Sequence, residues 1–114
     1  MRLQSRHSYF LYIITNPDKT VLYTGVTNSL CRRIQEHYLN RGNSETFAGK
    51  YFCYNLLYYE HFTYVNNAIE RETQIKKWGR SKKEALIETT NPQWLFLNKE
   101  VCEDWPPEES TEEK

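Results

Sequence analysis

Residues 9–14, Tyr-Phe-Leu-Tyr-Ile-Ile, are an unbroken run of aromatic and aliphatic side chains that sets narrow limits on the fold. A short apolar run without polar alternation predicts a strand buried on both faces, so other elements must cover each side of it. Residues 16–19, Asn-Pro-Asp-Lys, have the composition of a turn. Residues 21–26 predict a second strand, and we therefore expect a β-hairpin over residues 9–26.

The register of this hairpin decides which side chains meet across it. A four-residue loop over residues 16–19 would place Thr15 opposite Thr20. Counting back along both strands, Tyr12 would then lie directly opposite Tyr23. A shift of one residue would turn one of these tyrosines to the other face of the sheet, so the pairing is a specific prediction.

The segment after the hairpin has the pattern of a helix. Asn28 is the expected N-cap. Leu30, Ile34 and Tyr38 recur at four-residue intervals and therefore share one face. A loop with one short turn is expected over residues 42–53.

The second half of the chain predicts one more strand, over residues 56–62, and two more helices. The first of these helices is expected over residues 65–78, and residues 81–84, Ser-Lys-Lys-Glu, have the spacing of a capping box that begins the other. The order is ββαβαα. The predicted fold is an α/β domain with a small, mainly antiparallel three-stranded sheet flanked by three helices.

Charge is distributed unevenly along the 114 residues. Residues 103–114 contain six acidic residues and one lysine, with two adjacent prolines and few apolar groups, and are expected to be a disordered tail. Residues 1–102 fit one compact domain. They hold 14 basic against 9 acidic residues, a net charge of +5, which is compatible with a polyanionic partner.

The three cysteines, Cys31, Cys53 and Cys102, are odd in number and lack metal-ligand or redox spacing. A disulfide framework is therefore not expected, and a reducing cytoplasm is the expected compartment. The first eight residues lead into an apolar run too short for a signal peptide, and no segment approaches transmembrane length. We expect no association with a membrane.

Glu72 is singled out by the geometry of its helix. The apolar face of this helix is formed by Val65, Ala68, Ile69 and Ile75. A turn of about 100° per residue places Glu72 near the centre of that face and Glu70 towards solvent. An inward carboxylate is costly unless it is paired or binds a cation. Glu72 is therefore either a cation ligand or half of a structural ion pair, with Lys76 or with an arginine.

Arg33 and His37 lie one turn apart on a flank of the first helix. An arginine at the edge of a packed face can hold a phosphate through two parallel hydrogen bonds. A neighbouring histidine can bind a phosphate oxygen or exchange protons near neutral pH. The same spacing also fits a solvated flank on which Arg32 and Glu36 pair, and the sequence leaves both interpretations open.

Tyr12 and Tyr23 are two of nine tyrosines, and strand tyrosines are most often packing residues with a satisfied hydroxyl. The expected cross-strand pairing gives these two a second interpretation, as partners in a site. Gly25 ends the second strand. It provides either backbone freedom for the turn or room for the backbone to approach a ligand closely.

A basic cluster surrounds Trp78 between the second and third helices. Its members are Lys76, Lys77, Arg80, Lys82 and Lys83. Such a cluster can bind a phosphate backbone without sequence preference. It equally fits a solvated helix end, where cations interact favourably with the helix dipole.

Several segments, taken in order, resemble the GIY-YIG nuclease domain. Phe-Leu-Tyr at residues 10–12 stands where this family has Gly-Ile-Tyr, and Tyr-Thr-Gly at residues 23–25 stands where it has Tyr-Ile-Gly. Residues 26–37 resemble the helix segment that carries the family's arginine, and residues 68–78 the helix that carries its glutamate. The resemblance covers residues 8–98 and includes the short bacterial single-domain branch of the family.

The resemblance implies a divalent-metal-dependent endonuclease that hydrolyses DNA phosphodiester bonds in repair or processing. Glu72 would hold one Mg²⁺ or Mn²⁺ ion, because a single carboxylate suits an ion that keeps its waters and binds substrate phosphate. Tyr23 would accept a proton from the attacking water, with Tyr12 beside it assisting or positioning. Arg33 would stabilise charge on the phosphate, and His37 would support the phosphate or the proton path.

Two other functions stay open at this point. A catalytically inactive nucleic-acid-binding module of the same fold would need only the basic cluster. A protein-interaction adaptor would use the acidic tail. Because no separate DNA-recognition domain is visible, we expect weak sequence specificity, with the structure of the DNA or a protein partner selecting the target of the endonuclease.

Overall fold

The computed structural model describes residues 8–108. The elements along the chain are β1 (Tyr9–Thr15), β2 (Leu22–Thr27), α1 (Leu30–Leu39), α2 (Phe47–Lys50), β3 (Asn55–Phe62), α3 (Val65–Lys76), α4 (Arg80–Thr90) and α5 (Asn98–Val101). The strands form one antiparallel sheet in the order β2-β1-β3. The expected α/β class with a small three-stranded sheet is confirmed. α2 is the short turn expected in the loop, whereas α5 was not predicted.

The central strand β1 is buried on both faces, as its composition predicts. One apolar cluster joins β1 to α1 and contains Tyr12, Ile14, Leu30, Ile34, Ala48, Cys53, Leu56 and Cys102. A second cluster joins the other face to α3 and α4 and contains Leu11, Ile13, Leu57, Tyr58, Ile75 and Ile87. Successive β1 side chains alternate between the two clusters, so each face of the sheet has its own set of helices.

The hairpin register differs from the expected one. Tyr12 lies opposite Gly25, and Ile14 lies opposite Tyr23, so the pairing is shifted by two residues. Because a shift of two preserves the alternation of side chains, Tyr12 and Tyr23 still share one face of the sheet. Their ring centroids are 6.4 Å apart, as diagonal neighbours rather than directly opposed residues.

The shift arises because the loop is longer than the turn sequence suggests. The Asn16 side-chain oxygen accepts hydrogen bonds from the backbone N–H groups of Thr20 and Val21, at 2.8 and 3.0 Å. These bonds occupy the backbone N–H groups of residues 20 and 21. Strand pairing therefore begins only with Thr15 and Leu22. An asparagine that binds backbone groups further along the chain competes with the strand ladder in this way.

Two helix starts were also predicted wrongly. The N-cap of α1 is Ser29, whose hydroxyl accepts from the Arg32 backbone N–H, and not Asn28. α4 begins two residues earlier than the capping-box spacing indicates, with Gly79 rather than Ser81 as its N-cap. Glu84 does not close a capping box, because its carboxylate binds Arg80 Nε at 2.8 Å.

α3 packs on the sheet through a narrower stripe than the sequence predicts. Ala68 and Ile75 are fully buried, whereas Val65 and Ile69 are exposed. The buried stripe therefore follows residues 68, 72 and 75, and the wider apolar face at the start of the helix stays open to solvent.

Cys31 and Cys102 are joined by a disulfide, contrary to expectation. Their Cα atoms lie 5.0 Å apart although 71 residues separate them in the chain. The pairing depends on α5 packing beside α1. The spacing of the cysteines along the chain does not predict this contact. Cys53 is a buried free thiol.

The described part of the acidic segment contacts the domain. The Trp105 ring packs edge-on against Tyr38, with ring centroids 5.2 Å apart, and lies 6.5 Å from the Tyr54 ring. The apolar contacts of the chain thus continue past residue 102, where the domain was expected to end. Residues 109–114, the remainder of the expected tail, lie outside the described residues, as do residues 1–7.

None of the helices within residues 8–108 has both the length and the apolar composition needed to cross a bilayer.

Candidate active site

The Tyr12 hydroxyl is the centre of a buried polar group. Tyr12 comes from the central strand, and its side chain is almost completely buried. Its oxygen lies 2.8 Å from His37 Nε2 and accepts a hydrogen bond from Arg33 Nε at 3.3 Å. Because Arg33 and His37 are one turn apart on α1, a single helix face supplies both partners. Arg33 and His37 thus share a contact with Tyr12, and the pair of Arg32 with Glu36 that the flank interpretation expects is also formed, at 3.5 Å.

Burial sets the protonation states of Tyr12 and His37. Burial raises the pKa of Tyr12 to about 12, against the opposing hydrogen bond and charge of Arg33. Burial, together with the positive charge of Arg33, lowers the pKa of His37 to about 4. Near neutral pH the phenol is therefore protonated and the imidazole neutral. Since Arg33 donates to the phenol oxygen, the phenol hydrogen is available to donate to His37 Nε2.

Arg33 stays cationic and reaches the surface. Burial works against its charge, but hydrogen bonds to Tyr12 and Glu36 outweigh this and raise the pKa of Arg33 above its ordinary value. The Glu36 carboxylate lies 2.8 Å from Arg33 Nη1 and also pairs with Arg32 at 3.5 Å. The Arg33 side chain is 38% exposed, so one part of it binds the buried phenol while another faces solvent.

Arg33 faces a cleft of about 520 Å³. The cleft is lined by Tyr23, Arg33, Glu36, His37, Leu39, Asn40, Thr46, Phe47 and Ala48. The Tyr23 ring lies at one wall, 5.5 Å from the His37 ring between centroids. A cleft of this size that combines a cation, a histidine and a tyrosine suits an anionic ligand carrying a ring.

Glu72 lies on α3, the helix that covers the other face of the sheet. Its side chain is 22% exposed, and its carboxylate is 3.0 Å from Lys76 Nζ. Its negative charge is one of the smaller interactions that raise the pKa of Tyr12, which places the carboxylate within electrostatic range of the phenol. The neighbouring Glu70 is exposed, as expected. The structural ion pair that the sequence left open is thus formed, with Lys76.

A one-carboxylate metal site is compatible with these residues. Within residues 8–108, no group of three or more His, Cys, Asp or Glu side chains could hold a metal ion. Mg²⁺ needs no such group, since it keeps several waters and uses one or two carboxylates with substrate phosphate. The Glu72 carboxylate now pairs with the Lys76 ammonium, so a bound ion would have to share or replace this partner.

The members of the basic cluster have different surroundings. Arg80 donates hydrogen bonds to the Thr20 and Lys19 carbonyl oxygens, at 2.7 and 3.1 Å, and so joins α4 to the hairpin loop. Lys82 Nζ lies 4.7 Å from the Trp78 ring centroid. DNA contact by the whole cluster stays a prediction. The cluster consists of Lys76, Lys77, Arg80, Lys82 and Lys83.

Comparison with known proteins decides the family. The sequence model of the GIY-YIG catalytic domain family matches residues 8–85 of this chain. This range includes the three strands, Arg33, His37 and Glu72. The chain belongs to the GIY-YIG catalytic domain family. The resemblance stated from the motifs at residues 10–12 and 23–25 is thereby confirmed.

Curated relatives of this GIY-YIG protein are small proteins of similar extent. A UPF0213 protein from Bacillus pumilus is 32% identical over 83 residues, which cover 73% of this chain and 82% of the relative. A UPF0213 protein from Syntrophus aciditrophicus is 36% identical over 88 residues, covering 74% and 93%. A UPF0213 protein from Bacillus halodurans, solved by NMR, has a TM-score of 0.49 and 26% identity, covering 83% of this chain and 98% of that structure.

Sequence reasoning missed two contributions to this GIY-YIG site. Gly25 makes room for the Tyr12 ring inside the sheet, because a Cβ atom at Gly25 would lie 2.5 Å from the Tyr12 hydroxyl oxygen. Phe47 lies on α2 and stacks on Tyr23 with centroids 6.1 Å apart. The available signal for Phe47 was the recurrence of aromatic residues, Phe47, Tyr51 and Phe52, in a segment expected to be a loop.

Proposed function

We propose that this GIY-YIG protein is a divalent-metal-dependent endonuclease that hydrolyses phosphodiester bonds in DNA, with a role in repair or processing. The observation that supports it best is the convergence of Arg33 and His37 on the Tyr12 hydroxyl, beside Tyr23. Three elements contribute to this group, and it borders a cleft. A cation, a neutral imidazole and two phenols in one place suit the chemistry of a phosphate ester.

Arg33 is proposed to bind the scissile phosphate and stabilise the charge that develops on it. The hydrogen bond from Arg33 to Tyr12 orients the guanidinium. The exposed part of the guanidinium is therefore preorganised to face the cleft. Glu36 holds the same guanidinium at the surface. An incoming phosphate would compete with this carboxylate for Arg33.

Tyr12 and His37 are proposed to act as a neutral pair that orients Arg33. With its pKa raised to about 12, Tyr12 is poorly suited to remove a proton near neutral pH. His37, with its pKa lowered to about 4, accepts the phenol hydrogen bond and carries no charge that would repel Arg33. Tyr12 therefore serves as the orienting phenol, which refines the assisting role expected from the family.

Tyr23 is the proposed acceptor of the proton of the attacking water. Its ring borders the same cleft as Arg33 and His37. A nearby cation helps a phenol to act as a base, and Arg33 is such a cation. Glu72 would hold one Mg²⁺ or Mn²⁺ ion, which when bound supplies Lewis-acid stabilisation of the phosphate and of the leaving oxygen.

Lys77, Lys82 and Lys83, with Lys76 and Arg80, are proposed to contact the DNA backbone next to the site. Contacts of this kind position a duplex without reading its sequence. We therefore propose that the structure of the DNA, or a protein partner, selects the target.

The decisive experiment compares two neighbouring carboxylates on α3. Glu72→Gln removes the proposed metal ligand, whereas Glu70→Gln changes an exposed carboxylate on the same helix. Nicking of supercoiled plasmid and of branched oligonucleotides is measured with Mg²⁺ and with Mn²⁺, and folding is checked by circular dichroism and thermal unfolding. We expect Glu72→Gln to abolish metal-dependent cleavage and Glu70→Gln to retain the wild-type rate.

Arg33→Ala provides the second test. Removal of a charge-stabilising donor is expected to slow cleavage by about a hundredfold or more.

Cleavage by folded Glu72→Gln at the wild-type rate would remove the metal assignment. Salt-dependent DNA binding by the wild-type protein without cleavage on any substrate would instead support the inactive binding module.

A further inference from the structure

An exposed aromatic surface adjoins the proposed active site. Phe47 at the start of α2 is 51% exposed, and Tyr51, directly after this helix, is 39% exposed. Phe52, which follows Tyr51 in the chain, and Leu39, which lines the same cleft as Phe47, are also exposed. A cluster of large apolar side chains in contact with water is unfavourable unless it is covered by a partner, so such a cluster marks a binding surface.

The backbone that carries these rings is well defined. The Thr46 hydroxyl caps α2 by accepting from the Gly49 N–H at 3.0 Å, and the Cys53 N–H donates to the Ala48 carbonyl at 2.9 Å. A Cβ atom at Gly49 would lie 2.6 Å from the Asn43 carbonyl oxygen, so the loop packs closely on this turn. The rings are therefore presented by a preorganised support, which lowers the entropic cost of binding.

The aromatic surface is continuous with the catalytic group. The Phe47 ring stacks on Tyr23 with an interplanar angle of 25°, and its centroid lies 4.9 Å from that of Tyr51. The rings thus form a series that begins at the proposed proton acceptor and leads away from it. Phe47 and Arg33 both line the 520 Å³ cleft, so an aromatic face and a guanidinium border the same space.

We propose that Phe47 and Tyr51 form a stacking subsite for an unpaired nucleobase of the DNA strand whose phosphate is bound by Arg33. A nucleotide has a flat π-face for the rings and an anionic group for the cation, which matches the two kinds of group that border the cleft. This inference rests on the proposed function for the identity of the ligand. It adds the preference for unpaired strand to that function.

Charge around the rings favours a nucleotide over an apolar protein partner. Lys50 Nζ lies 5.3 Å from the Tyr51 ring centroid, and Arg33 lines the same cleft as Phe47. Cations close to aromatic rings match the alternating phosphates and bases of a single strand. A base within a duplex is already stacked on its neighbours, so gaps, flaps, loops and ends are the DNA structures that fit this subsite.

The test separates stacking from general apolar contact. Phe47→Leu keeps an apolar side chain without the π-face, Phe47→Trp keeps and enlarges the ring, and Phe96→Leu changes a ring of similar exposure, 43%, near the hairpin loop. Fluorescence anisotropy is measured in EDTA with a labelled single strand, a hairpin duplex of the same sequence, and a strand whose bases are replaced by abasic linkers.

We expect Phe47→Leu to weaken binding of the single strand by about tenfold and binding of the duplex by less than about twofold. Phe47→Trp and Phe96→Leu should bind both as the wild type does. Because the abasic strand has nothing to stack, its affinity should be the same for the wild-type protein and for Phe47→Leu. Tyr51→Leu should show the same pattern as Phe47→Leu, which provides an independent reading should one variant fold poorly.

Equal effects of Phe47→Leu on all three ligands, or no effect on any, would overturn the subsite. So would light scattering that shows a wild-type dimer converted to a monomer by this substitution, because the rings would then serve a second copy of the chain. The binding measurements require no turnover. If Phe47→Leu selectively loses affinity for the single strand and the wild type shows no cleavage, the nuclease is refuted and the subsite is kept. If the wild type cleaves DNA and Phe47→Leu shows no selective loss of affinity, the subsite is refuted and the nuclease is kept.

Discussion

Gly25 lies directly opposite Tyr12 in the sheet, and the Tyr12 phenol fills the space where a side chain at Gly25 would begin. A Cβ atom there would lie 2.5 Å from the hydroxyl oxygen and 2.6 Å from the ring carbon that carries it. The Tyr12 ring is held by His37 and Arg33 and cannot move without breaking these bonds. A glycine in the strand is therefore a condition for the polar group at the candidate site.

Gly25→Ala is expected to displace the Tyr12 ring and destabilise the protein by about 1–3 kcal/mol, since the added methyl overpacks a filled site. Cleavage should fall because Arg33 loses its orientation. Chemical unfolding and nicking assays measure the two effects. Gly79→Ala is the control, because a Cβ at Gly79 meets nothing within 4 Å. Equal stability of the two variants would contradict the close packing of Tyr12 on Gly25.

His37 should make stability depend on pH in the weakly acidic range. Burial and the Arg33 charge lower the pKa of His37 to about 4, from about 6.5 in an unfolded chain. Between these values the unfolded state binds more protons, so the stabilising contribution is complete above pH 6.5 and is lost as pH falls towards 4. From pH 7.5 to pH 5 the expected loss is about 2 kcal/mol.

Urea unfolding at the two pH values, compared between the wild type and His37→Gln, measures this contribution. The variant should lose less stability than the wild type on acidification, because the other titrating groups are common to both. His61→Gln changes an exposed histidine and should behave as the wild type does. The same pH dependence in His37→Gln and the wild type would show that His37 is not the group responsible.

The disulfide between Cys31 and Cys102 should stabilise the isolated protein. It closes a loop with a sequence separation of 71 residues, for which chain entropy predicts about 4 kcal/mol. Adding a reductant should therefore lower the free energy of unfolding of the wild type. Cys102→Ala should show the lower value in both conditions and be insensitive to reductant. A wild-type value that does not change on reduction would contradict the pairing.

Lys82 and Lys83 should contribute to DNA affinity without sequence preference. Lys82→Ala combined with Lys83→Ala is expected to weaken binding equally for unrelated sequences and to reduce the slope of log affinity against log salt by about 2. Arg80→Ala should instead lower thermal stability, because Arg80 joins α4 to the hairpin loop. A salt dependence unchanged by the double substitution would place the DNA on another surface.

The hairpin illustrates which parts of the fold were readable. The buried central strand followed from the local composition of six residues, 9–14, and its burial on both faces is confirmed. Its register was not readable, because Asn16 binds backbone groups at Thr20 and Val21 and so lengthens the loop. The two tyrosines kept a common face only because the resulting shift was an even number of residues.

Glu72 illustrates the same division within the candidate site. Helical geometry correctly distinguished it from the exposed Glu70. The same geometry could not choose between a metal ligand and a pair with Lys76, because both partners of a carboxylate are cations. It also placed Val65 and Ile69 inside, whereas both side chains are exposed in the structure.

The sequence by itself determined the strand buried at the centre, the order of the three strands and the three longer helices, and the helix faces that carry Arg33, His37 and Glu72. These features depend on the periodicity of side chains within a few turns or strand residues. Only the tertiary structure decided that Arg33 and His37 meet the Tyr12 hydroxyl, that Cys31 reaches Cys102, and that Phe47 on α2 borders the same cleft as Arg33. Each of these contacts joins residues distant in the chain, and their separation is set by how helices pack on the sheet.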